Sequence, residues 1–151
     1  MVATAPAVII YPLDDFPQLK TQTMKLNIQQ TNLEPIRRLL TYTDSEQVIA
    51  VSDEDVDNLL DSAPTLSLHT SRGINLKDAL QKLDTQVLDC GMAIKAIFVV
   101  RCTQSYQFPV SELSDLSQYI NDNLPKADVR WGFSIMDESE ANVTVVAATT
   151  Y

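Results

Sequence analysis

The sequence predicts one α/β domain built on a mixed sheet, with right-handed strand–helix–strand crossovers and an antiparallel hairpin at the C-terminus. Its 151 residues, 45% of them apolar and 21% charged, are typical of a single soluble globular domain. From Thr65 onwards strand and helix periodicities alternate, which is the pattern of parallel strands joined by helices. Two strand-like stretches then follow each other directly between Asp128 and Tyr151. These three observations define the fold class.

The stretch Asp128–Tyr151 gives the clearest strand signal. In its first half, apolar residues alternate with polar or small ones, as a strand with one buried face requires. The alternating apolar residues are Val129, Trp131, Phe133 and Ile135. A short acidic break, 137–141, separates them from Asn142–Tyr151, which resumes the alternation. We expect the two strands to pair as an antiparallel hairpin that closes one edge of the sheet.

The segments between Thr65 and Pro125 supply the two crossovers. Thr65–His69 and Ile94–Cys102 are predicted strands, the second apolar enough to be covered on both faces. Asn75 is a suitable helix cap, and the apolar spacing after it predicts a helix that ends near Gly91. A second helix begins at a capping Ser111 and is stopped by Pro125. Parallel strands joined by helices connect in the right-handed sense.

The first 64 residues are less regular. The predicted strands are Ala7–Tyr11, Thr23–Gln29 and Gln47–Val51. Thr31, Glu34 and Pro35 signal the start of a short helix ending near Tyr42, and Ser52 with Asp55 signals a second. We expect a single domain over 1–151, with 65–151 as its core and 1–64 adding elements whose position the sequence does not specify.

Charge and composition exclude several classes of function. The net charge of −9 disfavours nucleic-acid and anionic-membrane partners, which need a basic surface. Neither a signal peptide nor a membrane-spanning stretch is present in the sequence, so a cytoplasmic protein is expected. Cys90 and Cys102 have neither zinc-ligand nor redox spacing. We therefore expect no cofactor.

The segment "ADVRWGFSIMDESEANVTVVAATT", Ala127–Thr150, resembles the last two strands of the second domain of FtsZ and its tubulin-superfamily relatives. That family pairs an apolar strand containing a glycine with an acidic turn and a V-x-V-x-A-T strand. The strand Ile94–Cys102 and the helix after Ser111 fit the same order. The resemblance covers about Thr65–Tyr151 and implies an FtsZ-like C-terminal domain standing without its GTPase domain.

The residues that this family uses for GTP do not occur here. The three glycines, Gly73, Gly91 and Gly132, form no phosphate-binding loop. The nearest match to the family's acidic N-x-D-x-x-D loop is Asn75–Leu80, with Lys77 and Leu80 at the acidic positions. The resemblance therefore implies a non-catalytic module.

Isolated polar residues provide few candidates for chemistry. His69 is the single histidine, and a pairing with a cysteine stays open because such partners meet in space. Two acidic runs, 53–57 and 137–140, lack the pattern of a calcium loop, and we interpret them as a charged helix start and a soluble turn.

We expect an interaction or assembly module that partners itself, as a homo-oligomer, or a filament-forming relative. The alternatives are a structural subunit of a larger particle and, more remotely, an enzyme whose site is assembled from dispersed residues. The candidate partner-contact residues are Asn75, Lys77, Asp78, Asp137, Glu138, Glu140 and Tyr151.

Overall fold

The structure is a computed structural model that describes residues 22–28, 33–41, 46–49, 51–83, 90–136 and 141–151. The helices and strands are β1 (Gln22–Asn27), α1 (Glu34–Thr41), β2 (Glu46–Ile49), α2 (Asp53–Leu60), β3 (Thr65–Gly73), α3 (Leu76–Gln81), β4 (Lys95–Thr103), α4 (Glu112–Asn123), β5 (Asp128–Met136) and β6 (Val143–Thr150). A short 3₁₀ turn, Cys90–Met92, precedes β4. The predicted strand Ala7–Tyr11 lies outside the described residues.

The six strands form one mixed sheet in the order β1-β3-β6-β4-β5-β2. The pair β4–β5 is parallel, and the other four pairs are antiparallel. This confirms the predicted α/β class with its mixed sheet. Of the two crossovers, β4–α4–β5 joins parallel neighbours as expected, whereas β3 and β4 run parallel with β6 between them. The handedness of the crossovers stays a prediction.

The predicted hairpin needs one correction, because β5 and β6 run antiparallel without pairing with each other. Both pair with β4, β5 in parallel and β6 in antiparallel fashion. The Thr103 N–H donates to the Asn142 carbonyl and the Gln104 N–H to the Met136 carbonyl, so the end of β5 and the start of β6 both lie at the same end of β4. They are two strand spacings apart, about 10 Å, and the sequence between them is long enough to span that distance. Consequently β6 lies inside the sheet and does not close its edge.

The described residues before Thr65 occupy both edges of the sheet and one of its faces. β1 pairs with β3 at one edge, and β2 pairs with β5 at the other. α1 and α2 cover one face, where Val56, Leu59 and Leu40 pack against β3, β4 and β6. α3 and α4 cover the other face, where Phe98 and Leu116 are almost completely buried. The sheet is therefore the middle layer of three, as a strand apolar on both faces such as β4 requires.

Helix ends follow local sequence signals in two cases and depart from them in two. Ser52 and Asp55 form a complete capping box at α2, and the Asn75 side chain accepts from the Asp78 N–H at α3. Ser111 precedes α4 as predicted, but its side chain makes no cap hydrogen bond. The helix predicted to reach Gly91 ends at Gln81 instead. Gly91 is exposed in the 3₁₀ turn and does not end α3, and residues 84–89 lie outside the described part of the chain.

Gly132 permits a close approach between β5 and the chain that leaves β2. A Cβ added at Gly132 would lie 2.9 Å from the Ile49 carbonyl oxygen and 2.8 Å from Val51 Cγ2. Val51 is buried in the α1/α2 layer, whereas Ile49 is at the sheet edge. The chain therefore leaves the edge at Gly132 and passes onto the face of the sheet, which fixes where β2 stops covering β5.

Candidate interaction surfaces

The start of α3 is held by polar contacts within the chain. The Asp78 carboxylate accepts from the Ile74 N–H at 3.0 Å and lies 3.2 Å from the Lys82 ammonium. The Ile74 N–H, followed by Lys82, holds the pKa of the Asp78 carboxyl below its usual range. Two of the candidate partner-contact residues, Asn75 and Asp78, thus stabilise the β3–α3 turn. Lys77 beside them is exposed.

Glu112 braces the start of α4 against the start of α3. Its side chain is 8% exposed, and its two oxygens accept from the Leu76 N–H and the Tyr106 hydroxyl, each at 2.8 Å. Burial, and then the bond to Glu112, raises the pKa of Tyr106 to about 12. Burial, with the Glu112 charge in addition, also raises the pKa of the Cys102 thiol, so neutral Cys102 is favoured.

Two exposed apolar side chains flank this braced end of the sheet. Ile74 is 70% exposed and Val110 is 80% exposed. Ile74 lies two residues before Leu76, and Val110 lies two residues before Glu112, the two residues that the hydrogen bond joins. The Asn142 amide donates to the Ile74 carbonyl at 3.1 Å and holds the start of β6 nearby. Single exposed apolar residues are normal on a soluble protein, so these two alone do not identify a contact surface.

The structure separates the candidate partner-contact residues into two locations. Asp137, Glu138 and Glu140 lie outside the described residues, but the flanking residues Met136 and Ala141 are at the same end of the sheet as Asn75. Tyr151 follows β6 at the opposite end, where its N–H donates to the Thr65 carbonyl. Gly73 and Leu66 are seven residue steps apart along β3, which separates these ends by about 24 Å. Tyr151 therefore belongs to a different surface from Asn75.

The register also separates His69 from Cys102. His69 lies in the middle of β3, not at its end, and is 2% exposed. His69, Ala147 and Phe98 form one row across three strands, and Cys102 lies four residues further along β4. The two side chains are thus about 13 Å apart along the strands and about 10 Å across them. They do not form a nucleophile pair. The Cys90 side chain is outside the described part of the chain.

The acidic run at the start of α2 makes structural contacts, as we interpreted it from the sequence. Asp55 completes the capping box, and Arg37 of α1 pairs with Asp57 and lies 3.9 Å from Asp53. Opposite charges thus join α1 to α2 on the outside of the molecule. Such exposed pairs contribute little to stability.

A shallow cleft lies between α2 and the first residues of β4 and β5, with a volume of about 240 Å³ that includes open solvent. Its charged lining residues are Asp55, Lys95, Asp128 and Arg130. The Arg130 guanidinium is 3.7 Å from the Asp128 carboxylate and 4.0 Å from that of Asp55. Sequence analysis did not single out Asp128 or Arg130. The available signal was that two opposite charges share the polar face of one strand.

The described residues lack two further kinds of feature. Within those ranges, no three His, Cys, Asp or Glu side chains group closely enough to hold a metal ion. In the same part of the chain, no helix is both long and apolar enough to cross a membrane.

The solved structures that resemble this fold include two tubulin-superfamily proteins, FtsZ and CetZ. The chain superposes on an FtsZ dimer from M. jannaschii with a TM-score of 0.54 and 17% identity, covering 70% of this chain and 32% of that one. It superposes on CetZ from Methanosaeta thermophila with a TM-score of 0.52 and 16% identity, covering 76% and 34%. No protein-family model and no curated protein sequence matches. The chain spans about one third of the length of these two structures and shares the fold of that part.

Proposed function

We propose that this chain is a protein-interaction module that acts by assembly, with itself or with an FtsZ-like filament as its partner. The observation that carries the proposal is the fold, which matches part of FtsZ and of CetZ. The FtsZ structure is itself described as a dimer. A fold shared with an associating protein supports association as the first function to test.

The surface chemistry supports the same proposal. The cleft at α2 has a volume of about 240 Å³ that includes open solvent, and half of its lining residues are Asp, Lys or Arg, whereas sites for small molecules are larger, about 300–1,000 Å³, and mostly apolar. The polar groups at the start of α3 and at Glu112 contact other parts of the chain. The net charge of −9 favours a protein partner over a polyanion.

Two measurements test the proposal. Sedimentation of the purified chain over a range of concentrations reports self-association, and co-pelleting with polymerised FtsZ reports binding to a filament. We expect at least one of them to be positive. A chain that remains monomeric at millimolar concentration and stays in the supernatant with FtsZ filaments would show that the proposal is wrong.

If co-pelleting is observed, a set of charge variants locates the contact. Neutralising Asp137, Glu138 and Glu140 with Asp137→Asn, Glu138→Gln and Glu140→Gln removes three charges from the sequence between Met136 and Ala141, two residues that lie at the braced end of the sheet. The matched control removes three charges elsewhere with Asp53→Asn, Glu54→Gln and Asp122→Asn, all exposed. We expect the first variant to pellet less than the control. Equal pelleting would exclude this end of the sheet as the filament contact.

A further inference from the structure

One part of the sheet edge lacks a strand partner. β2 pairs with β5 only at Phe133, Ser134 and Ile135, and the chain then leaves the edge at Gly132. Among the residues that the structure describes, no strand pairs with Asp128–Trp131 on the side away from β4. The Asp128 and Arg130 side chains are 53% and 60% exposed. Residues 128–131 thus form an open edge of the sheet.

The backbone of the open edge has hydrogen-bonding groups directed outward. The Asp128 N–H donates to the Ile94 carbonyl, so even-numbered residues of β5 bond towards β4. Odd-numbered residues direct their N–H and C=O groups the other way, and Phe133 uses this side to pair with Ile49 of β2. Val129 and Trp131 therefore present backbone donors and acceptors along the open edge. An unpaired edge of this kind is a template for another strand.

The charges on the open edge select a second copy of the same strand. Asp128 and Arg130 share one face of β5. If the β5 strands of two copies pair in antiparallel fashion about a two-fold axis at Val129, Asp128 of each copy lies opposite Arg130 of the other. Val129 lies opposite Val129 in the same register. Like charges directly opposite would destabilise such a pair, and opposite charges stabilise it. The sequence Asp128-Val129-Arg130 is thus complementary to itself when antiparallel.

We propose that two copies of this chain associate through their open edges, with β5 antiparallel to β5 and the two-fold axis at Val129. The inference rests on the proposed function and specifies the surface that associates, the partner, which is a second copy, and the register of the paired strands. The pairing joins two six-stranded sheets edge to edge. Because only a few residues pair, the buried area falls in the class of weak interfaces, below about 1,200 Å². The dimer is therefore concentration-dependent.

Charge exchange tests this register directly. In Asp128→Arg alone, both cross-strand pairs become Arg–Arg, and in Arg130→Asp alone both become Asp–Asp. We expect each single variant to weaken dimerisation about tenfold or more. An equimolar mixture of the two variants restores both opposite-charge pairs, so it forms a heterodimer with an affinity close to that of the wild type. Sedimentation of each variant and of the mixture gives the comparison.

Control variants carry the same charge changes away from the edge. Asp122→Arg on α4 matches the first variant, and Arg38→Asp on α1 matches the second; both positions are exposed. We expect both controls to dimerise as the wild type does. Thermal unfolding of all variants checks that the fold is retained. Mixing the two single variants cannot restore a misfolded monomer, so association of the mixture shows that the charges, and not misfolding, weakened each variant.

The outcomes separate this inference from the proposed function. A wild-type chain that stays monomeric while pelleting with FtsZ filaments overturns the edge pairing and leaves the proposed function intact. A dimer unaffected by either single variant, or single variants whose mixture does not associate, also overturns the edge pairing alone. Failure of both self-association and pelleting contradicts both.

Discussion

Glu112 is the buried acid with the most defined role, since its two oxygens satisfy a backbone N–H and a tyrosine hydroxyl. Glu112→Ala would leave the buried Leu76 N–H without its acceptor. We expect the free energy of unfolding to fall by about 1–3 kcal/mol. Urea unfolding measures the loss, and Asp115→Ala on the same helix, a half-buried position, is the matched control. Equal midpoints for the two variants would contradict the bracing role.

Tyr106 gives a pH dependence on the alkaline side. Its pKa is raised from 10.0 in the unfolded reference to about 12, mainly by burial. A raised pKa means that the stabilisation is complete below about pH 10 and is lost as the pH rises through about 12. Tyr106→Phe has no such proton to lose. We therefore expect the denaturant midpoint of the wild type to fall further between pH 10 and pH 12 than the midpoint of Tyr106→Phe. Parallel losses would contradict the assignment.

Asp78 gives the opposite dependence on the acid side. The Ile74 N–H and Lys82 lower its pKa, so the stabilisation is present at neutral pH and is lost as the pH falls through the lowered value. We expect Asp78→Ala to be less stable than the wild type at pH 7. The difference should shrink as the pH is taken below about 4, the ordinary pKa of an aspartate. Thermal melts across that range measure it. A constant difference would contradict the ionic contribution.

At the scale of the helix, a serine precedes both α2 and α4, but only one of the two serines makes a capping hydrogen bond. The Ser52 hydroxyl accepts from the Asp55 N–H at 3.1 Å, whereas the Ser111 side chain makes no cap hydrogen bond. Ser52→Ala should therefore cost about 0.5–2 kcal/mol, and Ser111→Ala should cost little. Chemical unfolding of both variants makes the comparison. A larger cost at Ser111 would contradict the observed capping.

At the scale of the strand, the crossing at Gly132 leaves no room for a side chain. An added Cβ would lie 2.9 Å from the Ile49 carbonyl oxygen, which is backbone and yields poorly. We expect Gly132→Ala to lower stability by about 1–3 kcal/mol. Gly91→Ala is the matched control, because nothing lies within 4 Å of its added Cβ. If both variants melt alike, the crossing is not as close as described.

For the whole molecule, the two core layers share one sheet and should unfold together. Leu59 belongs to the α1/α2 layer, while Trp131, the single tryptophan, packs against the α3/α4 layer. Leu59→Ala should lower stability by about 2–5 kcal/mol and shift the Trp131 fluorescence transition as far as the circular dichroism transition. Leu116→Ala, in the opposite layer, is the control. Separate transitions would show two independent layers.

Several features of the fold could be predicted from local sequence because they depend on local geometry. The apolar run predicts β4, Ser111 and Pro125 predict the bounds of α4, and residue type and spacing predict the capping at Ser52 and Asn75. The end of α3 could not be predicted, because apolar residues keep a helical spacing in the sequence beyond Gln81, the last residue of α3. Periodicity indicates which face is buried, and not how far a helix extends.

The sequence by itself determined that Asp128–Met136 and Val143–Thr150 are strands of opposite direction, because a period of two and a short polar break impose both properties locally. Only the tertiary structure decided that β4 lies between them. Strand neighbours are chosen by pairing energies between residues far apart in the chain, and a strand apolar on both faces, such as β4, is most stable at the centre of a sheet. In this strand order β5 pairs with β2 only at Phe133–Ile135, so Asp128–Trp131 has no strand partner on that side among the described residues. That position makes a self-complementary Asp–Val–Arg sequence available to a second chain.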